Sequence, residues 1–114
     1  MATIHEYKFK AYGKNPGLYH HEIEVVKETP KTYKIDTKKS YSFYNTLKKS
    51  EAGIIGYDNY VFCDERIDEE VKQMFIDERN RKIKNYMSTI DLLKKDVELL
   101  SADVIEGDID KWGI

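Results

Sequence analysis

The chain has 114 residues and a formal net charge of -2, from 19 Lys and Arg against 21 Asp and Glu. That length suits one hydrophobic core, not two, and that balance excludes the bulk basic character of a dedicated duplex-binding domain. Charged residues make up 35% of the chain, more than an average soluble domain carries, so a large solvated surface is expected. The single cysteine, Cys63, cannot form an internal disulfide. The first residues carry no apolar signal run, and no stretch nears the roughly 18 consecutive apolar residues of a membrane span. These features predict a reducing, cytoplasmic setting and no membrane partner.

Charge is unevenly spread along the chain. Residues 1–63 hold ten lysines and seven acids, whereas residues 64–114 hold nine basic residues and fourteen acids. The front is mildly basic and the back acidic, an asymmetry hidden by the overall value.

Period-2 alternation dominates the front. Over residues 5–12, Tyr7, Phe9 and Ala11 share one side while Glu6, Lys8 and Lys10 share the other, as in a half-buried strand. The run Gly13, Lys14, Asn15, Pro16, Gly17 accepts turn dihedrals. Tyr19, His21, Ile23 and Val25 then alternate with His20, Glu22 and Glu24, the return strand of a hairpin. A turn centred on Asn15 sets Phe9 opposite His21, Tyr7 opposite Ile23 and Lys8 opposite Glu22. Residues 32–35 form a short third strand after the Thr29, Pro30, Lys31 turn. An irregular strand over residues 41–44 and one helical turn over residues 47–52, ended by Gly53, follow. Residues 57–63 read as a last strand, rich in aromatic and β-branched bulk.

Asp64 serves as a helix N-cap in this reading, with Glu65, Asp68, Glu69 and Glu70 favouring the positive end of the dipole. No glycine or proline interrupts residues 64–106, so one helix of roughly 60 Å is predicted. Its first part offers Ile67, Val71, Met74 and Phe75 to the sheet. Beyond Arg79 the apolar spacing narrows to heptads, with Ile83, Ile90, Val97 and Val104 at a and Tyr86, Leu93 and Leu100 at d. β-Branched a positions with leucine at d favour a parallel two-stranded coiled coil. The competing arrangement folds the same stripe back onto the chain's own sheet, with Leu92 and Leu99 widening the apolar face. The predicted architecture is α+β: an antiparallel β-meander (residues 1–63), one long helix that packs on the sheet and then oligomerises (residues 64–106), and a tail (residues 107–114).

Little in the chain supports catalysis or metal binding. His20 and His21 are adjacent on a strand and point to opposite faces, and the proposed register sets His5 across from Val25, so the three histidines do not converge. Cys63 lies beside Asp64 and Glu65, which raise a thiol pKa, and a buried inert thiol is expected. The glycines lack the strand and helix context of a phosphate loop. No enzyme activity and no cofactor are expected. The remaining feature is aromatic and basic: Lys38 and Lys39 precede Tyr41, Phe43 and Tyr44, and Lys48 and Lys49 follow. Lysines neutralise phosphates while rings stack on bases, the combination single-stranded nucleic acids and nucleotides require. A solvated loop anchored by aromatics, or a protein interface rich in tyrosine, explains the same letters.

Taken together, residues 7–12, Glu24 to Glu28 leading into Lys31, Thr32 and Tyr33, then residues 49–53 and the heptads give a layout that resembles small accessory proteins of bacteriophages infecting low-GC bacteria. Such proteins include anti-CRISPR inhibitors and oligomeric sponges for cyclic-nucleotide immune signals, such as anti-Thoeris proteins. The resemblance implies a non-enzymatic homo-oligomer that binds an anionic nucleotide in the host cytoplasm, and the basic-aromatic segment itself offers Lys38, Lys39, Tyr41, Tyr44, Lys48 and Lys49 as the binding residues. The alternatives it leaves are a protein inhibitor of a host defence enzyme and a single-stranded nucleic-acid-binding protein. No functional residue is carried over from any one family.

Overall fold

The computed structural model describes residues 2–85 and 90–109. Its elements in chain order are β1 (Thr3–Lys10), β2 (Gly17–Glu24), β3 (Lys27–Glu28), β4 (Thr32–Lys34), β5 (Thr46–Lys48), β6 (Tyr60–Cys63), α1 (Asp68–Asn85), α2 (Ile90–Leu100) and β7 (Ile105–Glu106). Among the described residues the strands form two sheets, one ordered β6-β1-β2-β7 and one ordered β3-β4-β5. The class is α+β, but the single long coiled-coil helix is not what forms.

Two helices replace it, of 18 and 11 residues. They pack on each other, with Arg79 Nε of α1 3.1 Å from Asp96 Oδ2 of α2, and the longest dimension of the chain is 44 Å. The helix starts later than expected, at Asp68, while Asp64 instead accepts a hydrogen bond from the Tyr33 hydroxyl at 2.7 Å. The physical reason the heptad seam fails as a coiled coil lies at its far end. Leu100 is fully buried beside Tyr7, Phe9, Val71 and Phe75, and Leu99 and Val104 pack on the same cluster. Folding back satisfies these side chains within the chain, without a second copy. Ile83, Leu93 and Val97 are half-buried; Tyr86 and the side chain of Ile90 lie outside the described residues.

The β1–β2 hairpin also pairs differently from the expected register. Tyr7 faces His20, Phe9 faces Leu18, Glu6 faces His21 and Lys8 faces Tyr19. This is a shift of three residues, and an odd shift exchanges the faces of one strand relative to the other. The expected register assumed one polar face. In fact both faces are covered: Tyr7, Phe9 and Leu18 meet the helices, while Ile4 and Ile23 meet Tyr33, Ile35, Leu47 and Phe62 at the small sheet. Glu6 and Lys8, placed by alternation on a solvated side, are therefore buried.

The small sheet is the meander, with Lys27 opposite Lys34 and Thr32 opposite Lys48. Residues 41–44 join no ladder, and residues 47–52 divide between β5 and a 3-10 turn over Lys49–Glu51. β7, absent from the sequence reading, pairs parallel to β2 with Tyr19 opposite Ile105. A Cβ on Gly17 would lie 2.7 Å from the side-chain tip of Ile105, which can move aside, and it is the φ of 155° at this position that favours glycine.

Burial separates the two readings of the rear stripe. Leu100→Ala is expected to cost about 2–5 kcal/mol of unfolding free energy, whereas Leu92→Ala, at an exposed position, is expected to change it by no more than about 0.5 kcal/mol. Urea unfolding monitored by circular dichroism measures both, and equal losses would contradict the fold-back.

Candidate functional site

A buried carboxylate organises the site from behind. Glu6, on β1, has no solvent exposure. It accepts hydrogen bonds from His21 Nε2 at 2.6 Å, the Tyr41 backbone N–H at 3.1 Å, the Tyr60 hydroxyl at 2.5 Å and the Ser40 hydroxyl. A buried carboxylate is tolerated only when donors replace water in this way. Two of these donors, Ser40 and Tyr41, belong to a stretch without ladder bonds, so Glu6 ties that stretch to the sheet. The Tyr41 ring also stacks on His21, with centroids 3.7 Å apart, and its hydroxyl donates to the Gly107 carbonyl. Burial, then the neighbouring Glu6 charge, pushes the Tyr41 and Tyr60 phenols well above their ordinary pKa, so both stay protonated donors.

With residues 40–42 fixed, Phe43 and Tyr44 are presented on one wall of a cleft of about 300 Å³. The facing wall comes from residues 54–58. Gly53, at φ 74°, turns the chain there, and its N–H donates to the Phe62 carbonyl at 2.8 Å. Asp58 and Asn59 both adopt left-handed φ values, 62° and 57°, a region that Asn and Asp enter more readily than most residues. Each is held by a buried cation. Lys8 Nζ pairs with Asp58, and Arg79 Nη2 donates to Asn59 Oδ1 at 3.1 Å. The clamp leaves Tyr57 81% exposed at the cleft rim, with Ile54 at 57% and Tyr44 at 65%. Lys8 also lies over the Phe43 ring, 5.0 Å from its centroid.

Of the six residues that sequence marks as ligand-binding, Tyr41, Tyr44 and Lys48 line this cleft. Tyr41 forms part of the floor, its ring and hydroxyl already engaged, while Tyr44 and Lys48 are exposed. Lys38 and Lys39 sit on an exposed turn outside the cleft lining, where the Lys38 N–H bonds the Asp36 carboxylate at 3.0 Å. Lys49 pairs with Glu28 and lies 4.9 Å from the Tyr33 ring centroid, also outside it. Sequence reasoning missed Lys8, Ile54, Tyr57 and Asp58. Alternation puts Lys8 on a solvated strand face, and the strand expected over residues 57–63 takes in Tyr57, Asp58 and Asn59, which instead form a 3-10 turn ahead of β6, with Asp58 and Asn59 at left-handed φ.

The remaining polar groups form a separate network on the helix side of the hairpin. His5 Nδ1 and His20 Nε2 are 2.9 Å apart, and His20 Nδ1 is 2.9 Å from Glu106 Oε2. The register brings these two histidines together, contrary to expectation, while His20 and His21 do point to opposite faces. No cluster of three or more His, Cys, Asp or Glu suited to a metal ion occurs among the described residues. Cys63 is buried, and burial pushes its thiol up to about 11. No helix among the described residues is long and apolar enough to cross a membrane.

Comparison with known proteins does not place the chain: no family model matches its sequence, and no curated protein or solved structure matches it.

Arg66 joins the network to the start of α1 by pairing with both Asp68 and Glu106. Burial raises the Asp68 pKa, but hydrogen bonds from Arg66 and Tyr7 outweigh it and hold the group below its usual value. The His20 hydrogen bond, opposed by burial and aided by Arg66, does the same for Glu106. Carboxylates depressed in the folded state stabilise it above about pH 4, and that contribution disappears as pH falls through the folded-state values. Arg66→Gln is therefore expected to lower stability against urea at about pH 6, with the gap from the parent narrowing progressively as pH falls below about 4. A gap that widens in acid would contradict the assignment.

Proposed function

We propose that the chain is a non-enzymatic binding protein whose cleft takes the base of a nucleotide. One observation carries the reading: Phe43, Tyr44, Ile54 and Tyr57, four of the large apolar side chains left exposed, line the same cleft. Apolar surface gathered at one concave place marks a site for a ligand, in a way that scattered exposed residues do not. Two tyrosines and a phenylalanine suit a planar ring. Lys48 at the mouth makes no salt bridge among the described residues, so it is available to a phosphate, and Glu51 can accept a hydrogen bond from a base amino group.

The absence of chemistry from this reading rests on where the reactive groups are used. His21 donates to Glu6, His20 is bonded to Glu106, and the Cys63 thiol is buried. Capture without turnover is also what the resemblance to phage nucleotide sponges implies. The coiled-coil mode of assembly expected for such a sponge is not part of the proposal, because two helices form in place of one long one and the far end of the seam, Leu100 and Val104, packs into the chain's own core.

Base stacking on an aromatic contributes about 1–3 kcal/mol by alanine substitution. Titration calorimetry with cyclic and linear nucleotides is expected to show binding, and ribose 5-phosphate, which lacks a base, is expected to show none. Tyr44→Ala and Tyr57→Ala are each expected to weaken binding by about 5- to 150-fold while leaving the fold intact. Absence of heat with folded protein, or binding indifferent to both substitutions, would overturn the reading.

A further inference from the structure

We propose that the nucleotide bound in the cleft is one unit of a single-stranded nucleic acid, whose phosphates continue onto the outer face of the small sheet. The inference rests on the cleft taking a base. It adds that the ligand is a strand and not a mononucleotide.

Lys48 is the hinge of the argument. It lines the aromatic cleft and also a second, shallow groove of about 450 Å³, shared with Lys31, Thr32 and Lys49. The two depressions are therefore neighbours with one wall in common. The ladder extends the same surface in the other direction. Thr32 is opposite Lys48, Lys34 is opposite Thr46, and Lys27 is opposite Lys34, so Lys27, Lys34 and Lys48 share the face that Tyr33 and Leu47 turn away from. In the ladder no carboxylate occupies that face. Adjacent strands lie about 4.8 Å apart, which spreads the lysines along a track and not at a point.

Energetics favour an anionic occupant. Like charges directly opposite each other on a sheet destabilise it, and Lys27 faces Lys34 without an intervening acid. Lys27, Lys31, Lys34 and Lys48 form no salt bridge among the described residues, whereas Lys49 is neutralised by Glu28 and Lys8 by Asp58. Among the acids of the neighbouring segments, Glu28 and Asp58 are thus already paired, while Asp36 and Glu51 form no salt bridge among the described residues. A phosphate chain relieves the lysine repulsion while a base fills the adjoining aromatic cleft. An acidic peptide could use the lysines but would leave the rings without a stacking partner, and a duplex could not offer an unstacked base.

Fluorescence anisotropy with labelled single-stranded oligonucleotides of one, two, four and eight units, DNA and RNA, tests this. The matched duplex and polyglutamate serve as competitors. Affinity is expected to rise up to about four units and then level. Three engaged phosphates give a slope of log K against log salt near -2, about a 15- to 20-fold loss between roughly 50 and 200 mM salt. Lys27→Gln and Lys34→Gln, at exposed unpaired positions, are each expected to flatten that slope by about 0.7 and to leave mononucleotide binding unchanged. Mononucleotide binding without a gain in length overturns this inference and leaves the base-binding cleft standing. Failure of every nucleotide, long or short, overturns both. Competition by polyglutamate or duplex equal to that of the single strand also overturns it, in favour of a generic polyanion.

Discussion

The structure depends on keeping one carboxylate, that of Glu6, away from water. A charge buried this completely is costly unless its lone pairs are filled, and here the donors come from β2, from β6 and from the connection between β4 and β5. Each donor fixes a part of the chain that would otherwise have separate freedom. The connection, with no ladder bonds, is the one that gains most, because Ser40 and Tyr41 take up the order that strand pairing supplies elsewhere. Phe43 and Tyr44 follow directly after this anchor, so the wall of the cleft inherits its position from the buried charge.

Buried cations hold the opposite wall by the same logic. Lys8 lies on the same strand and face as Glu6, and its pairing with Asp58 holds a left-handed residue in place, as Arg79 does for Asn59 from the helix side. The cleft is thus framed by polar contacts that reach through the sheet to both layers. Its rim is made of the aromatic and aliphatic side chains of Phe43, Tyr44, Ile54 and Tyr57. This division, structural polar groups behind and apolar groups in front, is the arrangement expected of a preformed binding site.

Strand existence was legible from period and turn residues: the hairpin, the short strand at Thr32 and the strand ending at Cys63 all form. Their register was not, because alternation identifies a strand's two sides without saying whether both are covered. Glu6 and Lys8 look like solvent-facing residues in any local window; only the small sheet and its approaching loops make them interior. The helical region shows the same limit. Its 3.5-residue spacing is equally satisfied by a partner helix or by the chain's own sheet, and the burial of Leu100 decides for the latter. Tyr44 and Lys48 were found because rings and cations clustered in sequence. Tyr57 and Asp58 were not, because their roles arise from a turn whose clamps, Lys8 and Arg79, are distant along the chain.

Native-state amide hydrogen exchange at Tyr41 tests the organising role of Glu6 most directly. The Tyr41 N–H bonds only to a side chain, in a stretch outside both ladders, yet the account predicts protection comparable to that of the Tyr7 and His20 amides in the central strands, since losing it exposes the Glu6 charge. Exchange of the Tyr41 amide as fast as that of Lys38 and Lys39 on the neighbouring turn would contradict the account, and with it the fixed wall of the cleft.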